Sequence, residues 1–290
     1  MKAQVLSWRD PALWITALPV LLVMGGVFLV PLGMTVALSF QTMASYRLVW
    51  TWDVGTWAAV LTQPHHMTIL ARTLGMALAC TALCVGLGLV VAVALAGRAS
   101  AWAGHVKVLI VFAFLADAVL KAHGWVLILD RAGLAHEIAR LLGLGGLPGG
   151  LLYTPGATLL GMVHTLLPYT IFTIYLALVR IDRDLVRAAR DAGASHARAF
   201  WAVTLPLARP GLIVGGALVF VLALGAFLEP KILGGGTAPM AAEAIRQSFE
   251  TRVDWPTGAA LTLLTLALGL LVLIPALAWA GRRHQGSRRR

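Results

Sequence analysis

Five stretches of this chain run for at least 19 residues without a single Asp, Glu, Lys or Arg. They are Pro11–Tyr46, Thr73–Gly97, Leu141–Val179, Pro210–Leu228 and Trp255–Gly281. Each can supply the roughly 20 apolar residues of a helix that crosses a bilayer. Val108–Leu129 is a sixth candidate, apolar apart from Asp117 and Lys121. The expected spans are 13–38, 68–96, 108–129, 156–179, 210–228 and 257–280 of one 290-residue transmembrane domain. They must be helices, because backbone groups in hydrocarbon have to be satisfied within the segment. Barrel strands would be about 10 residues long and would alternate.

Composition agrees. Hydrophobic residues make up 59% of the chain and charged residues 12%, with a mean hydropathy of +0.85. Soluble domains carry roughly 25% charged residues, so a soluble enzyme is excluded, and so is a disordered chain. The first apolar run exceeds the 7–15 residues of a secretory signal and reads as a retained helix. Cys80 and Cys84 lie in apolar sequence and read as packing residues, not a disulfide framework.

The net charge of +11 is a topology signal before it is anything else. With six spans, fifteen Lys and Arg fall on the side of the N-terminus and six on the other. The basic side is expected to be cytoplasmic, with both termini there. The tail Arg288, Arg289 and Arg290 then faces anionic lipid, and no nucleic-acid partner is implied.

The segment 180–209, between the fourth and fifth spans, is the one distinctive loop. It reads RIDRDLVRAARDAGASHARAFWAVTLPLAR. Leu185, Val186, Ala188, Ala189 and Ala192 make an apolar stripe at helical spacing. Asp182 or Asp184 is placed to cap its start, and Gly193 to end it in a left-handed turn. A second short helix over 195–204 is expected to break at Leu205-Pro206, with Pro210 opening the next span.

The order Ala188-Ala189, Gly193, then Leu205-Pro206 resembles the cytoplasmic EAA loop of permease subunits in binding-protein-dependent ABC importers. VPLGMTVALSF (30–40), GLGLVVAVALAGR (86–98), LLYTPGATLLGMVHTLLPYTIFTIYLALVRID (151–182), LVFVLALGAFLEPKILGGG (218–236) and DWPTGAAL (254–261) are similar to the spermidine/putrescine-type branch. The resemblance implies an all-α integral membrane protein of six transmembrane helices. It implies a pair of ATPase subunits below, a second permease subunit beside it, favoured as a different chain, and a periplasmic solute-binding protein above. ATP and Mg²⁺ would sit on the partner ATPase; this chain would bind no cofactor and catalyse no reaction. It contains no GK[ST] phosphate cradle of its own. The coupling residues it implies are Arg187, Ala188, Ala189, Arg190, Asp191, Gly193, Leu205 and Pro206. Arg187 stands where the family has Glu, a charge reversal that points to an altered ATPase surface.

Charged and polar groups inside spans define the expected solute path. Asp117 and Lys121 are four apart on one helix face, as an ion pair or as path residues, with Asp117 near mid-membrane. Trp125 follows one turn on. His164, Thr165 and Tyr169 offer uncharged donors in the fourth span, with satisfied packing as the competing reading. Glu229 and Lys231 flank Pro230 where the fifth span ends, and Glu229 and Ala226 differ from the family pattern. Arg72 reads as an interface anchor, and His65-His66 is too isolated for a metal site. Loops 41–67, 130–155 and 229–256 are expected to meet the binding protein. The resemblance places a polyamine first among solutes, with iron(III) or an organophosphonate as alternatives. A secondary transporter driven by an ion gradient is the reading from another class.

Overall fold

The computed structural model describes residues 11–97, 101–143, 150–236 and 239–286. Of the basic residues counted for topology, Lys2, Arg9, Arg98, Arg288, Arg289 and Arg290 lie outside the described residues, as does most of the loop at 143–150.

The described chain is mostly helical. Helix α1 (Pro11–Ser39) leads into a small hairpin, β1 (Thr42–Ala44) with β2 (Arg47–Val49). The hairpin is antiparallel with Met43 opposite Leu48. Then come α2 (Gly55–Thr62), α3 (Pro64–Ala96), α4 (Ala101–Leu115), α5 (Ala118–Leu129), α6 (Leu134–Leu141), α7 (Pro155–Val179), α8 (Arg183–Asp191) and α9 (His196–Ala199). A π turn (Phe200–Thr204) joins α9 to α10 (Leu205–Leu224), followed by α11 (Leu228–Ile232), α12 (Ala241–Glu250) and α13 (Trp255–Gly286).

Among the described residues, five helices are long and apolar enough to cross a membrane: Ala17–Ser39, Pro64–Ala96, Pro155–Val179, His196–Leu224 and Trp255–Ala278. A bent pair, Ala103–Leu115 with Ala118–Leu141, meeting at 102°, makes a sixth when counted as one broken span. The third span is therefore not the straight helix expected over 108–129. The reason is local. Asp117 is extended (φ −63°, ψ 141°), and its Oδ1 accepts from the amides of Val119 and Leu120, restarting the helix at Ala118.

The fifth span also departs from expectation. Leu205-Pro206 does not break the helix; one helix runs from His196 to Leu224, beginning well before Pro210. Pro206 has no N–H to give to the ladder. The π turn absorbs the mismatch: the Leu205 amide reaches back to the Phe200 carbonyl, five residues earlier.

The core is the packing of α3, α7 and α10. Cys80, Cys84, Met162, Val219 and Ala223 are fully buried there. Small residues let the backbones approach. A Cβ at Gly88 would lie 2.7 Å from Thr170 Oγ1, and one at Gly211 would lie 2.8 Å from the Thr173 carbonyl. That closeness lets Thr170 Oγ1, wholly buried, donate to the Cys84 carbonyl on α3 at 2.9 Å. In lipid, where apolar surface gains nothing by leaving the solvent, such contacts hold helices together, a bond of this kind contributing about 0.6 kcal/mol. Cys80 and Cys84 pack as small residues with sulfurs 3.9 Å apart. By contrast α1 is exposed along its membrane length, with Val27 73% and Leu22 66% accessible, as a lipid-facing helix should be.

Candidate functional site

Two places gather the residues singled out from the sequence. The first is the α8 platform at one end of the bundle. Asp182 caps it, its Oδ1 accepting from the Asp184 amide at 2.9 Å. Arg187 pairs with Asp184 at 3.0 Å, one turn back on the exposed face. Such an exposed pair contributes a few tenths of a kcal/mol, so it orients Arg187 more than it stabilises the helix. The helix ends as the sequence predicts, with Gly193 at φ +88°. Its amide reaches the Arg190 carbonyl at 2.9 Å, and the Ala194 amide reaches the Ala189 carbonyl at 3.1 Å. These two bonds are the Schellman pattern, and they require the left-handed residue.

No residue of α8 is buried. Arg187, Ala188, Arg190, Asp191 and Gly193 are exposed, and Ala189 is half-buried. Leu185 is 51% exposed beside Ala188. An open cleft of about 560 Å³ is lined by Arg187, Arg190, Asp191, Gly193, Ser195 and His196. A second cleft of similar size separates α8 from the ends of α3 and α7, between Val186, Arg190 and Phe200 on one side and Val93 and Leu178 on the other. The platform thus projects from the bundle with an unmet face of small apolar and cationic groups. Leu205 and Pro206 are half-buried in the continuous helix behind it.

The second place lies where α5, α7 and α11 meet. The Trp125 indole N–H donates to His164 Nδ1 at 3.0 Å, with the rings edge to face at 5.7 Å. The Lys121 ammonium interacts electrostatically with Glu229 and Asp117 on one hand and His164 on the other. Glu229 is buried on α11, only 6% exposed, with its Cγ against Gly161 of α7. Tyr169 stands apart from this group and packs on Phe114 of α4, ring centroids 4.9 Å apart. Lys121, Trp125, His164 and Glu229 therefore share one neighbourhood, while Asp117 and Tyr169 lie at its edge.

Asp117 and Lys121 form no ion pair. Lys121 Nζ donates to the Ala113 carbonyl at 3.2 Å, at the end of α4, while Asp117 caps the start of α5. Arg72 is held inside the fold, its guanidinium reaching the Pro239 carbonyl at 3.5 Å. Among the described residues, no group of three His, Cys, Asp or Glu is arranged to hold a metal ion. Val186, from the apolar stripe, and Phe200 line the cleft behind α8, and Phe200 was not singled out from the sequence. Its signal was weak: an aromatic residue in a loop otherwise rich in Arg and Ala.

Comparison with known proteins gives the arrangement its relatives. Residues 108–279 match the family described as binding-protein-dependent transport system inner membrane component. The chain is 32% identical over 252 residues to the spermidine/putrescine transport system permease protein PotB of Escherichia coli strain K12, covering 86% of this chain and 90% of that one. Among solved structures, a bacterial ABC transporter involved in import of the acidic polysaccharide alginate superposes with a TM-score of 0.78. That likeness covers 94% of this chain and 96% of the other at 14% identity, so it speaks to the fold alone. A bacterial alginate ABC transporter in complex with an alginate pentasaccharide-bound periplasmic protein superposes with a TM-score of 0.72 at 14% identity, over 92% of this chain and 93% of the other.

Proposed function

The chain belongs to the family of inner-membrane components of binding-protein-dependent transport systems, and from that premise we propose that it carries a polyamine or a similar amine-bearing solute. As a member of that family it is a multi-pass, non-catalytic permease subunit of an ABC importer. The observation that carries the solute reading is the 32% identity, across 86% of the chain, to a spermidine/putrescine permease. The ion-gradient alternative gives way to the family.

In this reading the protein sits in a bacterial inner membrane with both termini in the cytoplasm. The α8 platform is the contact for a cytoplasmic ATPase, which alone holds ATP and Mg²⁺. Its exposed Leu185 and Ala188 enter a groove of the ATPase, small enough to allow close approach, and Arg187, Arg190 and Asp191 make rim contacts. Gly193 and the two bonds across it keep α8 rigid, so a displacement of the ATPase is passed to α7 and α10 rather than lost in a loop. A second permease subunit of different sequence completes the path, and a periplasmic binding protein delivers solute to the end opposite α8. Alternating access follows as the ATPases close on ATP and reopen after hydrolysis.

On the path, Glu229 supplies the negative charge an ammonium needs, and Lys121 is its resident counter-charge. An arriving solute ammonium competes with Lys121 for Glu229, so binding is favourable yet reversible. The Trp125–His164 pair fixes the imidazole with Nδ1 accepting and the other nitrogen free to donate. The test is uptake of radiolabelled spermidine into proteoliposomes holding the chain with its co-encoded partners. ATP-dependent, vanadate-sensitive uptake is expected. Absence of polyamine uptake, with uptake of iron(III) or an organophosphonate instead, overturns the solute reading.

A further inference from the structure

At the end of the bundle away from α8 there is a partly enclosed cavity outside the residues assigned to the transport path. Helix α3 has 33 residues, so its start lies about 50 Å from the end that meets α8. The cavity, about 270 Å³, is formed where that start meets α12 and the turn after it. It is lined by His65, His66, Gln247, Ser248 and Arg252, with Ile69 and Leu261 behind them.

Three observations make it an anion site. First, His66 is 8% exposed and lines the cavity; its ring bonds to the Ala59 backbone while Nδ1 is buried without a partner, so an anion in the cavity pairs with Nδ1 when the ring takes up a proton. A buried polar atom left unpaired costs about 1–3 kcal/mol, which a ligand can recover. Second, the cavity sits at the start of α3, whose cap residue Gln63 makes no side-chain capping bond. Unpaired first-turn amides and the helix dipole favour negative charge there. Third, Arg252 adds a fixed positive charge, with no ion pair among the described residues. Its position is set by a tight turn in which the Arg252 amide bonds to the Gln247 carbonyl at 2.8 Å and Val253 is left-handed at φ +53°. Asp254 acts on His66 electrostatically from beyond the turn, and its carboxylate accepts from the Thr257 amide at 3.3 Å.

The lining is graded: His65 and Arg252 at the rim are exposed, while His66 and Ser248 at the floor are buried. A site of that shape admits a side chain entering from outside. We propose that this cavity seats a carboxylate side chain of the solute-binding protein, fixing the register in which that protein docks. The proposal rests on the importer reading, which puts the binding protein at this end.

The test uses the assembled transporter in lipid nanodiscs with its ATPase and binding protein. The readout is the binding-protein concentration that half-maximally stimulates ATP hydrolysis. Arg252→Glu, at an exposed position, and His66→Gln are each expected to raise it at least tenfold, a loss overcome by adding more binding protein. Arg252→Lys should keep it within about threefold. Gel filtration of each complex verifies assembly. If the unsubstituted transporter is stimulated normally and Arg252→Glu leaves the half-maximal concentration unchanged, the pocket proposal is overturned. If the unsubstituted transporter shows no stimulation at all, the importer reading itself fails, and the pocket with it.

Discussion

Asp117 and Lys121 both sit at the start of α5 and cap one helix break in both directions. Asp117 Oδ1 accepts from the Val119 amide at 2.8 Å, at the start of α5, and Lys121 Nζ donates to the Ala113 carbonyl at 3.2 Å, at the end of α4. An anion at a helix start and a cation at a helix end each match the local dipole. Each of the two charges inside the apolar span thus also stabilises the bend.

That arrangement separates capping from solute recognition. Asp117→Asn should retain uptake, because Asn caps as well as Asp. Asp117→Ala should destabilise the protein by about 1 kcal/mol, read as a lower denaturation midpoint in detergent. Loss of uptake in the Asn variant, with the fold intact, would give the Asp117 charge a direct role on the path.

The Trp125–His164 bond predicts a shared effect. Trp125→Phe and His164→Ala each remove it, and the double variant should be little worse than either alone. The measurement is the half-saturating solute concentration for uptake in a double-mutant cycle. Strict additivity would mean that the two residues act independently.

At the platform, Gly193→Asp should abolish uptake while leaving membrane insertion intact, since φ +88° and both closing bonds depend on glycine. Gly193→Ala should be milder, costing about 1 kcal/mol of local stability. Arg187→Glu should be tolerated, losing only the exposed pair with Asp184. Complete loss of uptake with the native ATPase would show that the reversed charge is matched on that partner.

Glu243 on α12 sets an acid limit. Burial pushes its carboxyl up, but hydrogen bonds from Arg246 and Gln247 outweigh burial and hold it below the ordinary carboxylate value. A carboxyl depressed in the folded state contributes stability that is present above its unfolded value and lost as pH falls through its folded one. Thermal denaturation in detergent should therefore shift downward on acidification below the ordinary carboxylate range. Glu243→Gln should flatten that dependence, and an unchanged acid slope in the variant would assign it to other groups.

The spans were legible in the sequence because a charge-free run of bilayer length has few other uses. The end of α8 was legible for a similar reason: Gly193 after an amphipathic turn matches a backbone that only glycine adopts without strain. Two features were not legible, both involving residues that serve either of two opposite ends. Asp117 within apolar sequence reads as a charge on a path, yet the same side chain is a good helix cap, and only the fold shows which. Pro206 reads as a helix breaker, yet a π turn before it supplies a register in which its missing N–H is not needed. The meeting of Lys121 with Glu229 and of His66 with Arg252 joins residues more than 100 positions apart, and no local pattern announces either.

The most direct measurement is mild-detergent purification of this chain from its native membranes, followed by mass spectrometry of the proteins that accompany it. The account predicts recovery of an ABC ATPase and a second permease of different sequence, and loss of the ATPase alone in the Gly193→Asp variant. Recovery of this chain without an ATPase, under conditions that keep known importers assembled, would contradict it.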